Sequence, residues 1–188
     1  MSKLVSINQD VSELVRLAQE SNQKAQLALY DTFSGKMLGI CRQYIKDLQF
    51  AEDVMITAFY KAFQNISKYE PYGSFEGWLR RIMVRECISY LRIQKNKFNG
   101  VEISDYYFRQ SAPTTDYSTS ELIQMAIDQL PIGCKTIFNL YVIEGYKHRE
   151  IAELLNVSIG TSKSQLAHAK KLLKDSLSQL NLKDNGTR

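Results

Sequence analysis

The stretch that decides the fold covers residues 145–174 and reads GYKHREIAELLNVSIGTSKSQLAHAKKLLK. Its first half has the apolar spacing of a short amphipathic helix, with the small Ala152 where a second helix can pack closely. Asn156 suits a left-handed turn position, and Ser158 is placed to cap the N-terminus of a second helix. The pattern therefore predicts two helices joined by a tight turn, a helix-turn-helix.

The second helix of this pair is basic along its exposed side. It has no acidic residue before Asp175, while Leu166 and Ala169 lie on an apolar stripe. One apolar face and one polar, basic face suit the major groove of DNA, although a solvated surface helix has a similar pattern. We expect the lysines to contact phosphates and Gln165 and His168 to contact base edges. The residues predicted to contact DNA here are Thr161, Lys163, Ser164, Gln165, His168, Lys170 and Lys171.

The rest of the chain also has a helical pattern. Of its 188 residues 44% are hydrophobic, which is enough for packed cores, and 24 basic against 20 acidic residues give a net charge of +4. Apolar residues recur at helical spacing, only three prolines occur, and no long stretch alternates with period two. We therefore predict an all-α protein with two small helical domains, residues 1–95 and 121–188, joined by a flexible linker at residues 96–120.

Local signals divide these domains further. Four helices are expected in the first domain, at about residues 11–22, 24–47, 47–67 and 74–95, with Asp47 and Ser74 as N-terminal caps. In the second domain a helix begins near Glu121, and another opens at Pro131 and ends at Gly145. The linker lacks an apolar stripe and is rich in Asn, Ser, Thr, Pro and Asp.

Aromatic and basic residues are combined on the fourth helix. Five of its residues, from Trp78 to Arg92, recur at spacings of three and four, and two tyrosines lie in the turn before it. Aromatic rings stack on unpaired bases while arginines contact phosphates, as in single-strand nucleic-acid platforms; the alternative is a core role, which we expect for Phe75 and in part for Trp78. The predicted set is Lys68, Tyr69, Tyr72, Ser74, Trp78, Arg81, Arg85, Ser89 and Arg92.

Catalysis, metal binding and membrane insertion find no support in the sequence. Glu52 and Asp53 adjoin a helix N-terminus, where the helix dipole favours carboxylates, and no His or third carboxylate accompanies them. The three cysteines have no metal-ligand spacing, and Cys41 and Cys87 are expected to be reduced core residues. We predict a soluble, cytoplasmic protein that is not an enzyme and needs no cofactor or metal.

Taken together, the two halves resemble the RNA polymerase sigma factor family, in particular the small extracytoplasmic-function (ECF) type that keeps only regions 2 and 4. The resemblance covers about residues 14–177. In region 2 it rests on Ala51-Glu52-Asp53-Val54, Phe59, Phe75-Glu76-Gly77-Trp78-Leu79-Arg80-Arg81-Ile82 and Tyr90-Leu91-Arg92. In region 4 it rests on Leu130-Pro131, Glu144-Gly145, Glu150-Ile151-Ala152-Glu153-Leu154-Leu155, Ser158-Ile159-Gly160-Thr161 and Lys163-Ser164.

The resemblance implies a function for each half. Region 2 would bind core RNA polymerase and capture an unpaired base of the −10 promoter element, and region 4 would read the duplex −35 element. An anti-sigma factor is a further candidate partner. The implied polymerase-binding residues are Asp47, Glu52, Asp53, Ile56, Thr57 and Tyr60.

Several positions depart from the family pattern. Ile56 and Thr57 replace a usual Gln and Glu, Arg85 replaces a usual Asn, and Gln165 and His168 stand where arginines are common. These changes indicate an altered polymerase contact and unusual promoter elements. Three alternatives remain open at this point: a helix-turn-helix regulator that works without polymerase, a nucleic-acid-modifying enzyme, and a degenerate sigma-like protein.

Overall fold

The computed structural model describes residues 2–97 and 119–184, which divide into two units, Met1–Gln94 and Lys95–Arg188. Every regular element in the described ranges is helical, with no strand, so the all-α prediction is confirmed there. Most of the predicted linker at residues 96–120, and the last four residues of the tail, lie outside the described residues.

The first unit is a helical bundle whose helices begin at polar caps. The Asn22 side chain accepts a hydrogen bond from Ala25 N at 3.1 Å, and the Asp47 carboxylate accepts one from Phe50 N at 3.0 Å. The expected helix ends at Asn22 and Asp47 are therefore wrong, because each of these residues starts the next helix. The elements are α1 (Ser2–Gln19), α2 (Gln23–Tyr44), α3 (Leu48–Gln64), a 3₁₀ turn (Ile66–Lys68) and α4 (Phe75–Lys97).

The core of this unit is made of long aliphatic side chains. Leu29 and Met37 on α2 and Leu79 and Met83 on α4 are fully buried. Each such side chain contributes about 1.5–3 kcal/mol by leaving water, so the two helices hold the bundle together through these residues. Phe33 adds an aromatic contact between α2 and α4, because its ring centroid lies 5.6 Å from that of Phe75.

Two thiols meet inside the same core. Cys41 and Cys87 are both completely buried and unoxidised, as the sequence predicted. The hydrogen bond with Cys41, followed by burial, raises the pKa of the Cys87 thiol far above its usual range. This thiol therefore stays protonated and behaves as a small apolar side chain.

The second unit contains a π-helical segment that the sequence did not indicate. One helix was predicted from Pro131 to Gly145, but the regular helix ends at Phe138 and continues with i→i+5 bonds, such as Glu144 N to Asn139 O at 2.9 Å. Gly145 then turns the chain with φ 76°. The elements are α5 (Thr119–Asp128), α6 (Ile132–Phe138), the π segment (Asn139–Ile143), α7 (His148–Leu155) and α8 (Ile159–Asp184).

The long helix α8 organises this second core. Leu130, Cys134 and Ala169 form a buried cluster, with Leu172 and Leu173 packed against it. Because Ala169 is small and completely buried, the preceding helices approach α8 closely at that point.

Candidate nucleic-acid interface

Local hydrogen bonds fix the turn between α7 and α8. Asn156 adopts the left-handed conformation with φ 52°, as the sequence predicted, and Val157 N donates to Ala152 O at 3.0 Å. The Ser158 hydroxyl then accepts from Thr161 N at 2.9 Å, which confirms Ser158 as the cap of α8. The helix-turn-helix is thus rigid at the point where α8 leaves it.

A second set of contacts joins α7 to α8 through His148. Its Nδ1 lies 2.9 Å from the hydroxyl oxygen of Ser162, which is fully buried, and its ring stacks on Tyr141 at a centroid distance of 4.5 Å. The sequence suggested a surface or phosphate-contacting role for His148. The half-buried ring also connects the two helices, a structural role that the sequence did not indicate, and the phosphate contact stays a prediction.

The outer face of α8 carries the predicted residues. Six of them are exposed and one, Gln165, is half-buried. The Gln165 Oε1 accepts a hydrogen bond from the Cys134 thiol on α6, with a sulfur–oxygen distance of 2.8 Å. Ser164 is exposed, but its hydroxyl donates back to Thr161 O at 3.1 Å. The exposed residues are Thr161, Lys163, Ser164, His168, Lys170 and Lys171.

In the first unit, an aromatic cluster lies at the start of α4. The Trp78 ring centroid is 5.5 Å from that of Tyr69 and 5.6 Å from that of Phe75. Phe75 is buried and Trp78 half-buried, as expected from the sequence. Ser74 caps α4 by accepting from Gly77 N at 3.1 Å. The cluster therefore forms a fixed aromatic surface at a helix N-terminus.

The two tyrosines in the turn before α4 differ in exposure and in hydrogen bonding. The Tyr69 hydroxyl donates to Gly73 O at 2.7 Å and its ring is half-buried, so Tyr69 is a fixed part of the aromatic cluster. Gln19 holds the same turn by donating from Nε2 to the carbonyl oxygens of Ile66 and Tyr69, both at 3.1 Å. Tyr72, in contrast, is 93% exposed, which leaves its ring available to a ligand.

The remaining predicted residues of α4 follow one side of the helix. Arg81, Arg85 and Arg92 are exposed, and Ser89 between them is half-buried. The Arg81 Nε donates to Gly77 O at 3.4 Å, which draws this side chain back toward the aromatic cluster. Lys68 lies in the preceding 3₁₀ turn and donates to Asn65 Oδ1 at 2.9 Å. All of the residues predicted to contact single-stranded DNA therefore lie on α4 or in the turn that precedes it.

A third surface lies on α3. All six predicted polymerase-binding residues, from Asp47 to Tyr60, are exposed. Ile56 and Tyr60 are one turn apart and are 54% and 63% exposed, although they are large and mainly apolar. Two exposed apolar residues that the prediction missed, Leu48 and Phe50, lie at the start of the same helix. The sequence could have indicated Leu48 and Phe50, because they are apolar residues that do not belong to the buried stripe of this helix.

Other chemistry has no site in the described parts of the chain. Across residues 2–97 and 119–184 no three His, Cys, Asp or Glu side chains gather in a way that would hold a metal ion. Nor is any helix within those ranges both long and apolar enough to cross a bilayer. The described residues thus combine a helix-turn-helix in one unit with an aromatic and basic helix in the other, two arrangements that suit contacts with duplex and single-stranded DNA.

Comparison with known proteins identifies the family. The model for sigma-70 region 2 matches residues 29–97, and that for sigma-70 region 4 matches residues 120–173. RNA polymerase sigma factor SigV of Bacillus subtilis is 30% identical over 139 residues, which cover 74% of this chain and 82% of that protein. The ECF RNA polymerase sigma-E factor of Haemophilus influenzae is 24% identical over 180 residues, which cover 89% of this chain and 95% of that protein.

A solved structure has the same fold. The sigma factor RpoE of Bartonella quintana, crystallised with the anti-sigma factor NepR, matches with a TM-score of 0.50 at 19% identity, over 80% of this chain and 95% of that chain. This chain belongs to the sigma-70 family of RNA polymerase sigma factors and is of the ECF type. Its function is to direct promoter-specific transcription initiation, and the alternative of a polymerase-independent regulator is not favoured. Sigma factors are DNA-binding regulatory proteins, not enzymes.

Proposed function

We propose that the three surfaces divide the work of promoter recognition. The α3 surface binds core RNA polymerase, the aromatic cluster with the arginines of α4 holds the melted −10 strand, and the outer face of α8 reads the duplex −35 element. In this assignment residues 1–95 form region 2 and residues 121–188 form region 4. Residues 96–120 connect the two regions.

One observation carries the DNA part of this proposal. The exposed side of α8 bears Lys163, Lys170 and Lys171 together with hydroxyl and imidazole groups, and no acidic residue occurs on α8 before Asp175. Lysines at the edge of a groove-binding helix neutralise phosphates, while polar side chains near the helix start contact base edges. A solvated surface helix would have no reason to exclude acidic residues over four turns.

The −10 assignment rests on different chemistry. A melted strand offers base faces as well as phosphates, so its site needs exposed rings beside cations. Tyr72 supplies an exposed ring, Trp78 a partly exposed one, and Arg81 and Arg85 follow along the same helix. Stacking on such rings is worth about 1–3 kcal/mol per base, which is similar to the cost of opening one pair.

The polymerase assignment rests on the mixed character of α3. Exposed Ile56 and Tyr60 lie beside the carboxylates of Glu52 and Asp53, which combines an apolar centre with a charged rim. Thr57 adds little polarity because its hydroxyl donates to Asp53 O at 2.9 Å. With an aliphatic residue in place of the Gln usual in the family, we infer that burial of apolar area contributes more to this contact than charge does.

A regulatory partner and a cellular location complete the proposal. The Bartonella relative is described in a complex with an anti-sigma factor. We infer that this chain is also held by an anti-sigma factor until transcription is required. It would act in the cytoplasm, where the polymerase is, without catalytic chemistry of its own.

Run-off transcription with reconstituted core polymerase tests the function. The full chain, added to core enzyme, is expected to produce a discrete transcript from a promoter selected out of a genomic library, whereas core enzyme alone gives none. Failure to co-elute with core, combined with specific binding of the isolated chain to duplex DNA, would favour the polymerase-independent regulator. Co-elution without any transcript would favour a degenerate sigma-like protein.

A further inference from the structure

The half-buried position of Gln165 restricts what this residue offers to DNA. It lies on the edge of α8, one turn after the exposed Thr161, and its Oε1 accepts from the Cys134 thiol at 2.8 Å. Cys134 is 3% exposed and belongs to α6, so the contact joins the recognition helix to the core behind it. One end of the Gln165 amide is therefore already bound, while the side chain as a whole remains partly exposed.

The surroundings decide which end of the amide points inward. Gly133 and Cys134 occupy the first turn of α6, directly after Pro131, where the helix dipole gives partial positive charge. The Oε1 atom lies 3.8 Å from the place that a Cβ on Gly133 would occupy. This setting stabilises a carbonyl oxygen and repels an amide NH2 group, which favours the orientation with Oε1 against α6 and Nε2 on the opposite side of the amide.

We propose that Cys134 is a positioning residue for promoter reading, because it holds Oε1 of Gln165 and leaves only the amide NH2 group to contact the −35 duplex. The inference rests on the proposed function of α8. A free glutamine pairs with adenine by donating to N7 and accepting from the N6 amino group. With its oxygen directed toward Cys134 and Gly133 of α6, Gln165 presents only its NH2 group to the duplex.

A donor alone selects a different base. Guanine presents two acceptors in the major groove, N7 and O6, whereas adenine presents one acceptor beside an amino group and cytosine presents an amino group. The two hydrogens of the Gln165 NH2 group therefore favour guanine at the base pair they reach. The core cysteine thus sets the sequence preference of a residue 31 positions away.

The test is selection of −35 sequences by the complete holoenzyme, the full chain with core polymerase, from duplexes randomised in that element. Cys134→Val keeps the apolar volume but removes the thiol donor, and Cys134→Ala is a second donor-free variant should valine perturb folding. Cys134→Ser keeps a donor and is the conservative control. Gln165→Ala, alone and combined with Cys134→Val, shows whether any effect passes through Gln165.

The expected result is a guanine preference at one base pair in the wild type. In the donor-free variants the preference at this base pair shifts from guanine toward adenine by about fivefold or more. A change of about fivefold is the smallest discrimination expected from a good bidentate contact. The serine variant keeps the guanine preference. Gln165→Ala loses selectivity at this pair alone, and adding Cys134→Val to it changes nothing further. A loss of overall affinity without a change of base would indicate a purely structural role and would overturn the proposal.

Other results also decide the matter. If wild type prefers adenine or cytosine at the Gln165-dependent pair, the oxygen faces outward and the proposal is wrong. The same holds if Cys134→Val changes the preference in the Gln165→Ala background, or if Gln165→Ala leaves every preference intact. In all these cases the holoenzyme still selects a sequence and the proposed function stands. A holoenzyme that selects no −35 sequence would refute both.

Discussion

The lysines of α8 lie in different surroundings although they share one helix. The Lys170 ammonium is 6.0 Å from the centroid of the Tyr141 ring, a cation–π contact that orients it. Lys163 and Lys171 are exposed on the outer face. These two side chains are therefore the clearest candidates for contacts made only with DNA phosphates.

Replacing Lys163 or Lys171 by alanine should weaken holoenzyme binding to all −35 sequences about equally. Each lost phosphate contact should reduce the slope of log affinity against log salt by about 0.9, because fewer counterions are released on binding. The measurement is a salt titration of binding to a −35 duplex. Lys24→Ala, on the exposed surface of α2, is the matched control and should leave the slope unchanged. A changed sequence preference instead would mean that the lysine reads bases.

Asp53→Arg should abolish assembly with core polymerase while leaving the fold intact. Asp53 is exposed, and only its backbone carbonyl takes part in the hydrogen bond with Thr57, so the substitution disturbs no packing. The expected pattern is an unchanged circular-dichroism spectrum with lost co-elution. Glu70→Arg, an exposed charge reversal in the turn before α4, should still co-elute. Normal co-elution of Asp53→Arg would place the interface elsewhere.

At the scale of elements, the turn from Tyr69 to Ser74 is the most distinctive. It is closed by the Tyr69 hydroxyl on Gly73 O, and Gln19 of α1 ties it to the bundle. Tyr72 is the one residue of the turn that the sequence prediction and the structure both leave fully available for stacking. A rigid turn with one exposed ring is suited to receive a base without first becoming ordered.

Tyr72→Ala should impair open-complex formation while sparing closed-complex binding to duplex DNA. The lost stacking is worth about 1–3 kcal/mol, and the 93% exposed side chain contributes little to the fold. Tyr72→Phe retains the ring and should behave as wild type. Permanganate footprinting of the melted region measures the effect, and a pre-melted bubble template should restore most of the transcription. Equal defects on bubble and duplex would refute the base-stacking role.

The caps of these elements could be predicted from sequence and the long-range contacts could not. Asp47, Ser74 and Ser158 act on backbone atoms three residues away, so a local pattern is sufficient to find them. The Cys134–Gln165 bond spans 31 positions and depends on how α6 packs on α8. The different environments of Tyr69 and Tyr72 also depend on the folded turn, which is why a local pattern predicts the same role for both.

At the scale of the whole molecule, the two units carry separate natural probes. Trp78 is the single tryptophan of the chain and lies in the first unit, as do Cys41 and Cys87, while Cys134 lies in the second. All three thiols are buried. Fluorescence of Trp78 therefore follows the unfolding of the first unit alone, and Cys134 alkylation follows the second.

The stability of the first unit should fall at alkaline pH. The folded pKa of Cys87 is raised above its unfolded value by the contact with Cys41 and by burial. The stabilisation that comes from Cys87 is thus fully present below the usual thiol pKa of about 8.5 and is lost as pH rises past it, because the Cys87 thiol then ionises only in the unfolded chain. The same hydrogen bond lowers the pKa of Cys41, which offsets part of this loss. The urea midpoint from Trp78 fluorescence should decrease from pH 8 to pH 10. The urea midpoint of Cys87→Ala should decrease less over the same pH range. An identical decrease in the variant and the wild type would mean that other groups cause the effect.

The π-helical segment before Gly145 has a consequence for how relatives of this chain align with it. A π turn accommodates one residue more than an α-helix needs, and it is the form that a single insertion into a helix leaves behind. Deleting Val142 would allow α6 to continue as a regular helix, but would turn Gly145 and everything after it by about 100°. The stacking of His148 on Tyr141 and the Cys134–Gln165 hydrogen bond, which both join residues before the deletion to residues after it, would then be lost. A homologue one residue shorter here would need a different contact to hold its recognition helix in place.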